Sequence, residues 1–321
     1  LSLFTPNYNH AQYLEEKIES MIHFPIRPRE YLIIDDASTD NSWEIIQRYT
    51  QKHSWIKAIK NEENQGKTTN NLKKALTTCS GDIMHGTAAD DLTLPGAFEQ
   101  VQEAYEEYPN VGVYFGPMHQ MSEDKVIMET LTPNNFTKNT YIAPGDFIEK
   151  YISHQSASFS LGAGTYYNRK ALLKMGGHPA QVRSWRDTLG TWLLALQYGA
   201  YYIHQPVAAY RYLETSISST DTNNYGNVVE NVYQATQLMG SSEYKRLFPH
   251  NFVMNWAKNY LLGLTTNRIF SMTRQNLASS EILSFVEKVN TLLREPPIAN
   301  YISQENLKKW FIKYQNVAKN S

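Results

Sequence analysis

The chain has 321 residues, of which 41% are hydrophobic and 19% are charged, a composition that excludes wholesale disorder. Lys and Arg number 30 against 31 for Asp and Glu, and a net charge of −1 excludes a polycation that binds nucleic acid through bulk charge. The single cysteine, Cys79, excludes an internal disulfide and a cysteine-rich zinc module, and it fits a reducing compartment.

The first third of the chain alternates strand and helix patterns. Short apolar runs predict strands and amphipathic periods predict helices, the first of which has Asn9 as its expected N-cap. The strands are predicted at 1–5, 31–34, 56–60 and 82–86, and the helices at 9–22, 42–52 and 68–78. This alternation predicts right-handed βαβ units and a parallel sheet.

Candidate site residues follow each of these four predicted strands. They are Pro6, Tyr8 and Asn9 after the first strand, Asp35 and Asp36 after the second, Lys67 after the third, and Asp90 and Asp91 after the fourth. Ligands of parallel sheets bind beyond the carboxyl ends of the strands, so we expect these residues to share one site.

The residue types at that edge suit a nucleotide and a metal ion. Asp90 and Asp91 offer hard oxygen ligands for Mg²⁺ or Mn²⁺, although an acidic pair also fits an ordinary helix N-terminus. Asp35 and Asp36 can accept hydrogen bonds from a base or a ribose, and they also fit a turn. Lys67 can meet a diphosphate beside a helix N-terminus, or it can be a solvated lysine.

The rest of the chain divides into a mixed region and a helical region. Residues 110–215 mix strands and helices, with a loop or hairpin expected at 120–141. A Ser/Thr/Asn-rich linker follows at 216–226, and only helical periods come after it. We therefore predict one domain at 1–215 and a helical C-terminal domain at 216–321.

Asp187 is a candidate general base in the mixed region. It precedes a predicted helix that carries Trp192, and an aspartate there can take a proton from a substrate. The alternative is a helix N-cap or an ion pair with Arg186. The sequence contains no H-E-x-x-H, Walker, G-x-S-x-G or G-x-G-x-x-G motif.

No apolar run of about 18 residues and no signal-peptide pattern occur in the sequence. The chain does not begin with Met, which suggests that it is trimmed. Residues 308–314 mix basic and aromatic side chains as membrane-surface helices do, but we favour an ordinary packed helix. We expect a cytoplasmic protein. Peripheral contact of this helix with the inner face of the membrane and the formation of an oligomer are both left open.

Taken together, the motifs resemble the family 2 glycosyltransferases with the GT-A fold. The matching segments are Thr5–Asn9, Tyr31–Ser42, Asn61–Gly66, Gly81-Asp82 and Ala89–Gly96, followed more weakly by Gly176-Gly177, Asp187…Trp192 and Pro206…Tyr210-Arg211. Their order and spacing follow the family pattern over about 100 residues, and the weaker matches extend the resemblance over roughly residues 1–215.

The resemblance implies an α/β fold of GT-A type, Rossmann-like, with a mostly parallel sheet flanked by helices and a C-terminal helical appendage. It also implies an inverting, metal-assisted transfer from a nucleotide diphosphate sugar, with UDP as the family's commonest nucleotide. Pro6, Tyr8 and Asp36 then hold the nucleoside, Asp90 binds Mn²⁺ or Mg²⁺, and Asp187 is the base.

The sequence departs from the family pattern at two positions. Ala88 stands where the D-x-D motif has its first Asp, and Asp91 is the candidate to compensate for the lost carboxylate. Leu213 stands where relatives often have a His that contacts phosphate.

The acceptor implied by the resemblance is a glycan or a lipid-linked sugar, and bacterial surface polysaccharide assembly is its natural setting. We expect four residues near Asp187 to bind it. They are His154, Tyr166, Trp185 and Arg186.

Two other functions remain open at the level of sequence. A nucleotidyltransferase would need a Gly-rich basic loop after the first strand, where this chain has Pro6 to Asn9 without Gly, Arg or Lys. A catalytically degenerate domain that binds glycans or serves as a scaffold is supported by Ala88, whereas Asp36, Asp90 and Asp187 favour an enzyme.

Overall fold

A computed structural model describes residues 1–66, 68–156, 159–213, 216 and 225–260. These residues belong to two compact units. The first consists of Leu1–His154, Ser160–Ala180 and Arg186–Ser216, and the second of Gln155–Phe159, Gln181–Trp185 and the chain from Ile217 onward. The predicted division at residue 215 stays a prediction, because much of 216–321, including 308–314, lies outside the described residues.

Twelve strands and eight α-helices are named below for the described residues. The strands are β1 Ser2–Asn7, β2 Glu30–Asp35, β3 Ile56–Lys60, β4 Ile83–Gly86, β5 Leu92–Thr93, β6 Val113–Phe115, β7 Met118–Met121, β8 Ile127–Leu131, β9 Thr140–Ile142, β10 Thr165–Asn168, β11 Ala200–Tyr202 and β12 Ala208–Arg211. The helices are α1 Ala11–Ile22, α2 Ser42–Lys52, α3 Thr68–Thr78, α4 Ala97–Glu107, α5 Phe147–Lys150, α6 Arg169–Lys174, α7 Arg186–Tyr198 and α8 Tyr225–Met239. Residues 250–260 are also helical.

The central sheet has eight strands in the order β3-β2-β1-β4-β10-β6-β11-β9. Strands β3, β2, β1 and β4 are mutually parallel, and β10 runs antiparallel to both β4 and β6. The βαβ units predicted from the first third of the sequence are therefore present, and the prediction of a mostly parallel sheet flanked by helices is confirmed.

A second, smaller sheet has the order β5-β12-β7-β8. Strands β7 and β8 form an antiparallel hairpin within the segment predicted to be a loop or hairpin, and β12 runs parallel to β7. Strand β5 and helix α4 were not predicted. This sheet places Arg211, at the end of β12, beside the turn that carries Asp90 and Asp91.

The core of the first unit packs the parallel strands against amphipathic helices. All six residues of β2 are buried, and α1 buries Leu14, Ile18 and Met21 on one face. Burying each such side chain stabilises the fold by about 1.5–3 kcal/mol before entropy is counted. Asn9 is not the N-cap of α1, because the helix begins at Ala11, whose N–H donates to Asp40 Oδ2 at 3.0 Å.

Among the described helices, none combines the length and the apolar character that crossing a bilayer requires.

Candidate active site

The carboxyl ends of β1, β2 and β4 lie at one edge of the sheet, and backbone hydrogen bonds join the loops that follow them. Asp36 N donates to Asn7 O at 2.8 Å, which ties the loop after β2 to the end of β1. Thr87 N donates to Phe4 O at 3.0 Å, which ties the loop after β4 to the same strand. The prediction of a shared edge is therefore met by the loops that carry Tyr8, Asp36 and Asp90.

Asp35 organises this edge from inside the protein. Its side chain has no exposed surface, and Oδ1 accepts hydrogen bonds from Asn7 Nδ2 at 2.9 Å and Ser38 Oγ at 2.6 Å. Oδ2 accepts from Ser38 N at 3.1 Å. The protein itself uses both oxygens and the side chain is buried, which gives Asp35 a structural role in this turn; its contact with a nucleotide stays a prediction.

Asp36 is held differently from its neighbour. Its Oδ1 accepts from Asn61 Nδ2 at 2.6 Å and from Gln65 N at 3.2 Å, while Oδ2 bonds to none of the described residues. Asn61 is fixed in turn by Asn71 Oδ1 at 2.9 Å and by Lys74 Nζ at 2.5 Å. The sequence did not predict that Asn61, Asn71 and Lys74 support Asp36, because only the fold brings them close to it.

The other residues predicted to bind nucleotide differ in exposure. Tyr8 is 43% exposed, so its ring is open to a ligand, whereas Pro6 is partly buried within β1. Asn9 has a left-handed backbone (φ 54°), and its Oδ1 accepts from Thr39 N at 2.7 Å, which gives it a role in holding the loop before α2. Lys67 lies outside the described residues.

Asp90 and Asp91 differ in what their carboxylates touch. The Asp90 carboxylate bonds to none of the described residues, although its backbone O accepts from Arg211 Nε at 3.0 Å. Asp91 Oδ1 accepts from Arg211 N at 3.1 Å. Burial, followed by the charge of Asp90, raises the pKa of Asp91 to about 7 against the opposing effects of Lys17 and Arg211.

Lys17 is a fully buried cation beneath this turn that the sequence interpretation missed. Its Nζ donates to Thr87 Oγ1 at 3.0 Å and to Asp91 O at 2.8 Å. Burial lowers the pKa of Lys17 to about 8, and the charges of Asp91 and Asp90 oppose that shift. The signal was present, because residue 17 falls on the apolar face of α1 between Leu14 and Ile18, where a lysine needs a buried partner.

Arg211 is the second buried cation at the turn, with 1% of its surface exposed. Its guanidinium donates to Glu123 O at 2.6 Å and forms an ion pair with Glu16 at 3.3 Å. It also lies over the ring of Tyr13, 4.9 Å from the centroid. Arg211 thus joins β12, α1 and the β7–β8 hairpin to the Asp90–Asp91 turn. The sequence pattern included Tyr210-Arg211 but did not predict this role.

The residues at this turn fit a divalent cation that a nucleotide helps to hold. Among the described residues, no three His, Cys, Asp or Glu side chains lie close enough to bind a metal ion by themselves. Asp90 nevertheless offers two oxygens that none of the described residues bonds, and Mg²⁺ sites are often completed by one or two carboxylates together with substrate phosphates. The donor set therefore suits a metal ion bound jointly with a diphosphate.

Asp187 lies in the first turn of α7, which begins at Arg186, so it belongs to the helix that it was predicted to precede. Its Oδ1 accepts from Thr188 N at 2.8 Å, so it caps the helix as well as offering a carboxylate. A Cβ at Gly162 would lie 2.5 Å from Asp187 Oδ2, so a side chain at this position would require the carboxylate to move. Burial raises the pKa of Asp187, and the positive charge of Arg186 opposes that shift.

Packing connects Asp187 to the second sheet. Thr188 Oγ1 donates to Ser160 Oγ at 2.8 Å, which holds the Gly162 loop against α7. Gly164 O, later in this loop, accepts from Gly116 N at 3.0 Å, and Val207 N, just before β12, donates to Pro117 O at 2.9 Å. Strand β12 in turn supports Asp91. A continuous set of contacts within the first unit thus runs from the candidate base to the candidate metal turn.

Two of the four predicted acceptor residues are buried in this structure. Tyr166 is fully buried in β10 and stacks on His85 with centroids 4.0 Å apart, so neither the ring nor the hydroxyl meets an open surface. Trp185 is 6% exposed and stacks on Trp256 at 4.7 Å within the second unit. Both are core residues, because a large ring gains more from burial than from exposure.

The other two predicted acceptor residues keep a polar surface. His154 is exposed at the end of a short 3₁₀ helix, Ile152–His154. Arg186 is half-buried, and its charge acts on Asp187. Their role in acceptor binding stays a prediction.

Comparison with known proteins gives a family and a set of relatives. The model of the family described as glycosyl transferase family 2 matches residues 2–176. TuaG of Bacillus subtilis strain 168, named for teichuronic acid biosynthesis, is 27% identical over 227 residues, which cover 68% of this chain and 81% of TuaG. Three further curated relatives are matched over less than half of their own length.

Two solved structures show the likeness of fold. S. aureus TarS 1–349 in complex with UDP-GlcNAc has a TM-score of 0.63 at 17% identity, over 81% of this chain and 72% of that one. The mannosyltransferase PcManGT of Pyrobaculum calidifontis, in complex with GDP-Man and Mn²⁺, has a TM-score of 0.55 at 18% identity, over 99% and 84%. The GT-A fold predicted from the sequence is confirmed.

Proposed function

Because the chain belongs to glycosyl transferase family 2, we propose that it transfers a sugar, with inversion, from a UDP-sugar to a hydroxyl of a glycan or lipid-linked acceptor. The observation that carries this proposal is the pair of Asp36 and Asp90, whose carboxylates keep oxygens unbonded to the described residues at one sheet edge. The complex of TarS with UDP-GlcNAc supports UDP as the nucleotide, and the name of TuaG supports a polysaccharide product.

In this proposal the nucleoside lies between Tyr8 and Asp36. The exposed ring of Tyr8 offers a stacking face for the base, and Asp36 Oδ2 accepts from a base N–H. Asn61 and the backbone N–H of Gln65 hold the other oxygen of Asp36, so the carboxylate is oriented before the ligand arrives.

Asp90 would hold Mn²⁺ or Mg²⁺, and the bound ion would supply positive charge that stabilises the departing diphosphate. The Mn²⁺ in the PcManGT complex supports this assignment. Arg211 and Lys17 hold the backbone of the turn through Asp90 O and Asp91 O, and these bonds leave the Asp90 carboxylate unused.

Asp187 would act as the general base. It takes the proton from the acceptor hydroxyl as the acceptor oxygen bonds to the anomeric carbon and the bond from that carbon to the diphosphate oxygen breaks. A single displacement of this kind inverts the anomeric configuration. The raised pKa of Asp187 makes the carboxylate a stronger proton acceptor than an ordinary aspartate.

Transfer is tested by offering a panel of UDP-sugars with Mn²⁺ and polysaccharide acceptors, and by following the anomeric proton of the product by NMR. We expect an α-linked donor to give a β-linked product. A product that retains the α configuration would exclude the single displacement.

Ala88 favours one alternative, a glycan-binding domain without turnover. It is exposed and supplies no carboxylate at the position where the family motif has its first Asp. UDP binding without turnover of any donor in that panel would favour this alternative.

A further inference from the structure

Lys17 differs from the other cations near the Asp90–Asp91 turn in how its charge is balanced. Arg211 is paired with Glu16, which also pairs with Lys125 at 2.8 Å. Lys17 instead donates to two neutral oxygens, Thr87 Oγ1 and Asp91 O. A buried ammonium without a carboxylate at hydrogen-bond distance depends on the nearest negative groups for its stability.

Those nearest negative groups belong to the turn itself. Asp91 and Asp90 are the carboxylates whose charges act on Lys17. The two hydrogen bonds of Lys17 span the turn from its first residue, Thr87, to its last, Asp91. The lysine therefore both fixes the shape of the turn and offsets the charge that would attract a cation.

The turn is also short of acidic groups. Ala88 contributes no carboxylate, and the described residues contain no group of three potential metal ligands. The buried ammonium of Lys17 offsets part of the charge of Asp90 and Asp91, so less net negative charge remains for a divalent ion.

We infer that Lys17 is a positioning residue that makes metal uptake at Asp90 depend on the nucleotide diphosphate. A divalent cation gains little from the partly neutralised turn alone, and the phosphates of the donor supply the missing negative charge and oxygen ligands. Lys17 itself has no exposed surface, so it acts on the ion through the field and shape of the turn and not by contact with the substrate. This inference rests on the proposed metal role of Asp90.

The test measures Mn²⁺ binding by electron paramagnetic resonance and calorimetry at pH 7, with and without UDP. We expect the wild-type protein to bind Mn²⁺ weakly alone and much more tightly with UDP. Lys17→Met keeps the buried stem and removes the charge, and it should tighten UDP-free Mn²⁺ binding by roughly tenfold or more. Lys150→Met removes an exposed lysine charge in α5 that is paired with Asp146, and it is the matched control, for which no change is expected.

A second variant keeps the test valid if Lys17→Met does not fold. Ala88→Asp adds a carboxylate at an exposed position of the same turn, leaves Lys17 in place, and should also produce UDP-free Mn²⁺ binding. Tight Mn²⁺ binding by the wild-type protein alone would overturn the inference. The inference would also be overturned if Lys17→Met bound Mn²⁺ without UDP no more tightly than the wild-type protein does. If Lys17→Met does not fold, the same result in Ala88→Asp would overturn it. Failure of the wild-type protein to bind UDP with Mn²⁺ would instead contradict the proposed function.

Discussion

One buried carboxylate at each edge of the parallel sheet gives a contrast, Glu30 at the amino edge and Asp90 at the carboxyl edge. At the amino edge, Glu30 begins β2 with 3% of its surface exposed and accepts from Ser2 Oγ at 2.8 Å, Ser80 N at 2.6 Å and Lys57 Nζ at 2.7 Å. At the carboxyl edge, the carboxylate of Asp90 is nearly as buried but bonds to none of the described residues. A carboxylate that the protein satisfies stabilises the fold, whereas one left open is available to a ligand.

The pKa values of Glu30 and of the candidate base Asp187 also shift in opposite directions. Burial raises the pKa of Glu30, but its hydrogen bonds with Lys57, Ser80 and Ser2 outweigh burial and lower that pKa to about 2. Burial raises the pKa of Asp187, and the hydrogen bond from Thr188 does not reverse the shift. Perturbation toward the neutral form is the pattern expected of a group that exchanges a proton during catalysis.

The largest effect on activity is expected from Asp187→Asn. The amide keeps the shape of the side chain but cannot take a proton, so kcat should fall by about a hundredfold or more. Steady-state kinetics checks this, with the melting temperature as the control for folding. A kcat close to that of the wild-type protein would place the base elsewhere.

A smaller but still large effect is expected from Gly162→Ala, which tests the position of the same carboxylate. The added methyl group would collide with Asp187 Oδ2, and the displaced base should lower kcat by roughly tenfold or more. Gly145→Ala is the matched control, because nothing lies within 4 Å of its Cβ and the residue is exposed. Equal kcat values for the two variants would show that the base tolerates displacement.

A paired substitution separates the two aspartates that follow β2. Asp36→Asn replaces the open acceptor and should weaken UDP binding by roughly tenfold, as measured by calorimetry. Asp35→Asn disturbs the bonds with Asn7 and Ser38 and should lower the free energy of unfolding by about 1–3 kcal/mol. If Asp35→Asn weakened UDP binding more than Asp36→Asn, the assignment of the two residues would be reversed.

Glu30→Gln should leave kcat unchanged and affect stability alone, by about 1–3 kcal/mol at neutral pH. Since the folded-state pKa lies below the ordinary value of 4.5, the ionised Glu30 contributes stability above that pH. The contribution is lost as the pH falls from 4.5 toward about 2. Chemical denaturation at pH 7 and at pH 3 measures this contribution as the difference in the free energy of unfolding between the wild-type protein and Glu30→Gln. An equal difference at the two pH values would contradict a stabilising role of the ionised Glu30.

The parallel half of the fold was predictable because its signals are local. Each of the first four strands is an apolar run that ends at polar residues, and the structure places β2 and β3 within about one residue of the prediction. Helix α4 was missed although Phe98, Val101 and Ala104 share its buried face.

The supporting residues of the site were not predictable in the same way. Asn61, Lys74 and Gly162 act through contacts with residues distant in sequence, which no local pattern reports. The burial of Tyr166 and Trp185 was not predictable either, because an aromatic side chain suits a sugar-binding surface and a core equally well. Lys17 was the exception, since its place on an apolar helix face was visible in the sequence.

The central claim is that the carboxyl edge of the sheet is a donor site that uses Asp90 and a metal ion. Calorimetric titration of UDP, GDP and dTDP, each with and without Mn²⁺, tests it most directly when the wild-type protein is compared with Asp90→Ala. We predict that the wild-type protein binds UDP tightly and only with Mn²⁺. Asp90→Ala should lose most of the affinity for UDP, and Mn²⁺ should no longer affect the binding that is left. Failure of the wild-type protein to bind any of the three nucleotides, or UDP binding that neither Mn²⁺ nor the substitution alters, would contradict the claim.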